Sequence, residues 1–379
     1  MSMQSAYPSA RRTALRVLPR LEEHLKSAPA MENEYAFLPD VDTLESIIDA
    51  GFWASLRREE GYPPLISLAY LPSRQTFYPM HFERPIPLIP ERLTRLAPAV
   101  ERPGIHLGVW CEEGELRVWG ATRHLPAFCL VLEVIAPGLL VLKHSRGHDT
   151  GKFVNVAVLE GDQIKVIDQQ AAALPDCPDL LTSLLGLESP FSRTGSVNVL
   201  IQLAVSMREH GRGGSLLVVP VGAYEWMESM LLPISYAMTP PYSALAELMQ
   251  VSPNERPERR WQDALRRAVD GAAGLTAVDG ATVITSNHQV LAFGAKIVRR
   301  VGSSRVERII ATEPIEGSAP VIIEPGQLGG TRHLSAAQFA HDQRDSIALV
   351  ASQDGRFTVF GWSACEDMVH AHRIETLLL

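Results

Sequence analysis

Cysteine is scarce in this chain. Cys111, Cys129, Cys177 and Cys365 are the only four in 379 residues, and no two stand at Cys-x-x-Cys spacing. That pattern argues against a structural zinc site and against a disulfide scaffold, and it fits a reducing compartment. An excess of positive charge is also missing. Lys and Arg number 35 against 43 Asp and Glu, a net charge of -8. No general affinity for nucleic acid or an anionic membrane follows from such a balance, so any contact with phosphates must be local. There is no long apolar run. The longest, Phe128 to Leu142, is broken by Glu133, Pro137 and Gly138, too short and too interrupted to span a bilayer. Arg11, Arg12, Arg16 and Arg20 begin the chain without an uninterrupted apolar segment after them. No signal peptide is read, and a cytoplasmic location is expected.

What is present is an ordinary globular composition, 46% hydrophobic and 21% charged, long enough for two or three domains. The first thirty residues read as a helix with Leu15, Leu18, Leu21 and Leu25 on one side. Asp42 to Glu60 reads as a second helix, with Asp42 as its N-cap and Leu44, Ile47, Ile48, Phe52 and Leu56 on one face. From Leu65 the pattern changes to strands. A proline-rich connection through Pro85, Pro87 and Pro90 and a short helix over Glu91 to Leu96 lead into three hairpins. These turn at Glu113-Gly114, Pro137-Gly138 and Glu160-Gly161-Asp162. The expectation is an α+β domain dominated by antiparallel sheet over residues 1–190. Pro175, Pro178, Pro190, Ser192 and Gly195 mark the boundary.

The remainder, 191–379, reads as a mixed sheet flanked by helices, on the α/β side of the α+β class. Val197, Leu200, Ile201, Ala204 and Val205 form a helical stripe with Ser196 as N-cap and Gly211 as stop. Gly213-Gly214 opens the apolar strand Leu216 to Val219. Trp226 to Leu232 reads as helix, Pro240-Pro241 as a breaker, and Pro257 to Gly271 as a further helix. Val278 to Thr285 turns at Ser286-Asn287-His288 and returns to Ile297. Later come Pro320 to Ile323, a helix to about His341, and the strands Ser346 to Ala351 and Phe357 to Trp362.

Two short strings carry the chemistry. Gly329-Gly330-Thr331-Arg332-His333 runs into a helix, whose first free N–H groups and partial positive charge favour an anion. The Arg332 guanidinium is a planar fork suited to phosphate oxygens, and the His333 imidazole can ligate a metal or move a proton. Asp279-Gly280-Ala281 opens a strand and brings a carboxylate. The combination reads as a polyphosphate site.

With these strings in this order, and with Ser352 ahead of the Gly355 turn, residues 192–362 resemble the diadenylate cyclase (DAC) domain of the DisA and CdaA type. The matches are Asp279-Gly280-Ala281, Gly330-Thr331-Arg332-His333 and Ser352. The resemblance implies condensation of two ATP molecules to cyclic di-AMP with release of pyrophosphate, in a face-to-face dimer and with Mg or Mn. It implies Asp279, Arg332 and His333 as catalytic residues, and Asp279 and His333 as metal ligands. Gly280 and Ala281 would leave room for the nucleoside, and Gly330, Thr331, Ser335 and Ser352 would line the nucleotide. The chain departs from the family at Leu334, where a second arginine is usual, at Val278, and in an apparent insertion over Ser303 to Ala319. A catalytically weak or inactive nucleotide-binding regulator is the alternative, and a different nucleotide transfer a third reading. The first half resembles the sensor domain called DACNV, which implies an unknown small-molecule or protein signal.

Other strings carry less. Thr122-Arg123-His124-Leu125 repeats four of the motif letters, but Pro126 follows and no glycine pair precedes it. His144, His148 and Asp149 read as an exposed loop rather than a metal site, and His370 and His372 as incidental. Arg256, Arg259, Arg260, Arg266 and Arg267 read as a solvated basic edge. Trp110 and Trp119 are expected to pack together across a hairpin.

Overall fold

A computed structural model describes residues 6–26, 35–146, 153–168, 198–252, 255–256 and 258–379. The chain divides into two compact units, Met1–Ile167 with Leu379, and Asp168–Leu378. The boundary expected between Pro175 and Ser196 lies outside the described residues, as do the Ser196 N-cap, Pro257, His148 and Asp149.

In the first unit, eight strands form one sheet. They are β1 (Ile66–Tyr70), β2 (Met80–Pro87), β3 (His106–Glu112), β4 (Glu115–Thr122), β5 (Leu130–Ala136), β6 (Leu139–Ser145), β7 (Phe153–Glu160) and β8 (Gln163–Val166). Their order is β2-β4-β3-β1-β5-β6-β7-β8. Every pairing is antiparallel except that of β1 with β3. The three expected hairpins account for most of the sheet. Helices α1 (Pro8–Lys26), α2 (Val41–Ser55) and α3 (Pro90–Val100) share one hydrophobic core with it.

Several local expectations are corrected. Asp40, not Asp42, caps α2, accepting from Thr43 N at 2.8 Å. Leu15 is exposed, and Ala14, Val17, Leu18 and Leu21 carry the buried stripe of α1. The proline-rich connection contains β2. Pro85 and Pro87 are tolerated there because it is an edge strand with a register shift between His81 and Ile86. His144 is a buried residue of β6 and not part of an exposed loop. The two tryptophans go to different partners. Trp119 lies over Gly108 and donates to the Leu71 carbonyl at 2.8 Å, while Trp110 packs at a tilt against Tyr70, ring centroids 4.9 Å apart.

In the second unit, nine strands form a mixed sheet, as the sequence pattern predicts. They are β9 (Gly214–Val219), β10 (Tyr236–Tyr242), β11 (Ala281–Thr285), β12 (Val290–Ala295), β13 (Ile309–Thr312), β14 (Val321–Ile323), β15 (Ile347–Ala351), β16 (Phe357–Ser363) and β17 (Met368–Arg373). Their order is β10-β12-β11-β9-β15-β16-β17-β13-β14, with β9/β11 and β13/β17 parallel. Helices α4 (Val199–Glu209), α5 (Ala244–Gln250) and α6 (Arg259–Leu275) share a core with Leu216, Val218, Ile284 and Leu349. Helix α7 (Thr331–Asp342) packs on the opposite face, against Leu217, Val219, Ala281, Val283, Ala348 and Val350. Strand alternation sends successive residues of β9, β11 and β15 to these two cores, which is why every residue of the three strands is buried.

Asn198 caps α4, accepting from Leu200 N and Ile201 N. Trp226 to Leu232 forms only a 3-10 turn, Glu225–Ser229. The Pro240-Pro241 pair lies inside β10, an edge strand with a register shift between Ala237 and Tyr242. The stretch read as an insertion contributes β13. Arg256 is no solvated edge residue. Its guanidinium donates to the Met249 carbonyl at 2.7 Å and the Val251 carbonyl at 3.1 Å, which ties down the entry to α6.

Candidate functional site

Strand register brings the motif residues to one end of the second sheet. The start of β9 pairs with the end of β15 (Gly214 with Ala351) and with the start of β11 (Ser215 with Ala281). The Asp279-Gly280 turn, the Gly213-Gly214 entry and the Ser352 turn therefore share that end. Helix α7 adds its N-terminus on the same side. Gly330 is its N-cap and supplies no side-chain acceptor, which leaves first-turn N–H groups for another partner.

Arg332 reaches across from α7. A Cβ placed on Gly213 would lie 3.0 Å from Arg332 Nη1 and 3.2 Å from the Ala351 carbonyl, and Gly213 has a φ of +69°. A glycine is thus required where the guanidinium passes the strand ends. Asp279 is 89% exposed at its side chain, and Oδ2 accepts from Lys296 Nζ at 2.5 Å. The Lys296 hydrogen bond and charge hold the Asp279 carboxyl below its ordinary range, and the charge of Arg332 lowers it further. The carboxylate is ionised throughout the physiological range. Asp279 and Arg332 thus belong to one electrostatic neighbourhood. Lys296 was missed from sequence, because two register shifts stand between the Ser286–His288 turn and the Asp279 end of the hairpin. Pairing back across that turn sets Ala295 opposite Ala281, and hence Lys296 beside Asp279.

His333 occupies a different position from the one expected. It is 3% exposed, packed edge-on to Phe360 at 6.0 Å. A Cβ on Gly329 would lie 2.4 Å from its Nδ1. Burial lowers its pKa, Asp354 opposes the shift, and Arg356 and Arg332 reinforce it, so the ring is neutral at pH 7. Its Nε2 is buried with no hydrogen-bond partner. Of the two residues expected to hold a metal, Asp279 is exposed and ion-paired to Lys296, and His333 is enclosed by Gly329 and Phe360. No group of three or more His, Cys, Asp or Glu side chains suited to a metal occurs among the described residues.

The small residues also acquire another explanation. Gly280 has a φ of +119°, and a Cβ there would lie 2.4 Å from the Gly294 carbonyl carbon. Ala281 is 1% exposed within the α7-side core. Close packing demands a small residue at both positions. Gly330 and Thr331 are exposed and Ser335 half-buried. Ser352 closes its turn: its N–H donates to the Arg356 carbonyl at 2.9 Å, and its hydroxyl binds the Asp354 carboxylate.

At the opposite end of the same sheet, a cleft of about 570 Å³ is lined in part by Trp226, Arg300, Ser303, His341, Asp342 and Arg344. It contains a serine, a histidine and an aspartate in contact. Ser303 Oγ lies 3.3 Å and Asp342 Oδ1 2.9 Å from the same His341 nitrogen, Nδ1. A nucleophilic relay needs the serine on one ring nitrogen and the acid on the other, so this cluster is no hydrolytic triad. It is a staple. Burial alone would raise the Asp342 pKa. The Ser303 hydroxyl, the His341 ring, the Arg300 N–H and the Gln338 amide together hold it down. They pin the 300–306 loop to the end of α7.

Residues 33–123 match the family described as "Probable sensor domain DACNV". This bears out the sensor-domain resemblance of the first half over that span, which includes α2, α3 and β1 to β4. No curated protein matches the chain. Among solved structures, the chain is similar to a double mutant of DacA from Staphylococcus aureus at 12% identity and a TM-score of 0.24. That match covers 46% of this chain and 83% of the other. It is also similar to a hypothetical membrane spanning protein from Bacillus cereus, at 14% identity and a TM-score of 0.27, covering 51% and 70%. Among the described residues, no helix is long and apolar enough to cross a membrane.

Proposed function

We propose that the second unit is a diadenylate cyclase, joining two ATP molecules into cyclic di-AMP and releasing pyrophosphate. One observation carries the reading. Asp279, Arg332 and a helix N-terminus without a side-chain cap share one sheet end, where the Arg332 guanidinium passes the Gly213 entry to β9 and β9 pairs with the start of β11.

In this account the α7 N–H groups and Arg332 bind the triphosphate and neutralise its charge. Asp279 receives the proton of a ribose 3′-hydroxyl as that oxygen bonds to the α-phosphorus of a second ATP, and the bond from that phosphorus to the pyrophosphate oxygen breaks. Two copies of the unit face each other, each contributing one ATP, so rate depends on positioning and charge. His333 acts as a positioning residue, its neutral ring bracing Gly329 at the helix entry. One exposed carboxylate combined with substrate phosphate oxygens is a donor set that Mg or Mn accepts, so Asp279 would hold the ion. When bound, that metal would supply charge neutralisation at the phosphates. A signal taken up by the first unit would set the activity.

The test is incubation of the full chain with ATP and Mn, with cyclic di-AMP read by mass spectrometry. A regulator that binds ATP without turnover is favoured by two observations, Leu334 in place of an arginine and the Lys296 ammonium on Asp279. Bound ATP with no product would select it.

A further inference from the structure

Lys296 belongs to no expected motif, yet its ammonium is the direct partner of the carboxylate on which the proposed reaction depends. We propose that Lys296 is a phosphate-binding residue of this site, supplying the cation that position 334 does not. This deepens the nucleotide reading given above and rests on it.

Four observations support the assignment. Lys296 directly follows β12, and the pairing of Ala295 with Ala281 fixes its root beside the Asp279 turn. Its Nζ lies 2.5 Å from Asp279 Oδ2, while its side chain is 49% exposed and can swing without leaving a cavity. Arg332 comes to the same sheet end from α7, its Nη1 3.0 Å from a Cβ placed on Gly213, whose strand pairs with the start of β11. The charges therefore stand as cation, anion, cation around one sheet end. Finally, Leu334 leans elsewhere: its Cδ2 lies 3.9 Å from a Cβ placed on Gly326, against the 3-10 turn Pro325–Gln327.

An exposed lysine–aspartate pair alone contributes little to stability, so a purely structural role would explain little here. A triphosphate changes the balance. It carries several negative charges into a neighbourhood where Asp279 is already ionised, and that repulsion must be offset. A lysine is a compact charge on a flexible stem, suited to leaving a carboxylate for a phosphate oxygen. In the free protein Lys296 screens Asp279. With ATP present it turns to the phosphates and releases the carboxylate for the 3′-hydroxyl.

The experiment uses the full chain and two titrations, ATP in the presence of EDTA and Mn in the absence of nucleotide. Lys296→Met keeps the length of the stem without the charge, and Lys296→Arg keeps the charge. The expected result for Lys296→Met is about tenfold weaker ATP binding, near the loss of one ion contact, together with tighter Mn binding at the uncovered carboxylate. Lys296→Arg is expected within threefold of the parent for ATP. Parent-like ATP and Mn affinities in Lys296→Met would overturn the inference and leave the nucleotide site standing. Failure of the parent itself to bind ATP would overturn the nucleotide reading, and this inference with it. Melting curves accompany both variants, and if Lys296→Met does not fold, Lys296→Gln takes its place with the same expected outcomes.

Discussion

Replacing Gly280 by alanine tests the backbone geometry that aims Asp279. The new methyl would lie 2.4 Å from the Gly294 carbonyl carbon, 2.7 Å from its oxygen and 2.8 Å from its Cα. All three are backbone atoms, so no side chain can rotate away. Gly280 also has a φ of +119°, which costs an alanine about 1–3 kcal/mol. Forced overpacking adds about 1–3 kcal/mol, and the reduced freedom of the unfolded chain returns about 0.4–1 kcal/mol. The net expectation is a loss of about 1–5 kcal/mol. Gly271→Ala is the matched control in the same unit. It lies exposed in α6 with nothing within 4 Å of a new Cβ, so it should gain about 0.5–1 kcal/mol. Urea denaturation, with hydrogen exchange followed in peptides covering β11 and β12, reads both. A Gly280→Ala protein within about 0.5 kcal/mol of the parent would refute the close approach of the Gly280 turn to β12, and with it the placement of Asp279.

Further outcomes follow from other parts of the structure. Gly329→Ala should drive the His333 ring from its place and cost about 1–3 kcal/mol, with most of the loss absent when His333→Ala is made in the same chain, a coupling that a double-mutant cycle in urea reads directly. Burial pushes His106, His144 and His372 each down to about 4. The folded values lie below the ordinary 6.5, so the unfolded chain binds more protons as pH falls. Stability is full above about 6.5 and drops between there and about 4, by on the order of 3 kcal/mol per histidine. Denaturation midpoints across that range, compared with His144→Phe and His372→Phe, measure it, and a flat profile would contradict the buried neutral rings. Asp342→Ala should free the 300–306 loop, seen as faster hydrogen exchange there, with a loss of about 3 kcal/mol as its partners are left unpaired. Leu334→Arg should change ATP affinity less than threefold in the parent but recover part of the loss in Lys296→Met. A large gain in the parent would mean that Lys296 does not fill the missing role.

Much of this architecture was legible in the sequence because local signals were strong and agreed with one another. The turns at Glu113-Gly114, Pro137-Gly138 and Glu160-Gly161 gave the first sheet its hairpins. The apolar runs in β9 and β15 gave the buried centre of the second sheet. What escaped depended on tertiary context. Strands β2 and β10 contain prolines, which only an edge position permits. Strand β13 is four residues long and lacks the period that would mark it. At the site, the motifs located Asp279 and Arg332, but not what surrounds them. The roles of Gly280 and Gly329 depend on Gly294 and on the His333 ring, contacts that cross turns rather than follow the chain. The orientation of His333 into the protein is a packing outcome, since a histidine at that helix position can face either way. Lys296 was hidden because its importance comes from register, not from any motif.

The central claim is that the Asp279 and Arg332 neighbourhood carries out nucleotide chemistry. Its most direct measurement is the yield of cyclic di-AMP, by mass spectrometry, from the full chain and from Asp279→Asn incubated with ATP and Mn. The account predicts product from the parent and none above background from Asp279→Asn, with the fold of the variant unchanged. No cyclic di-AMP from a folded parent at high protein concentration, or equal yields from both proteins, would contradict it.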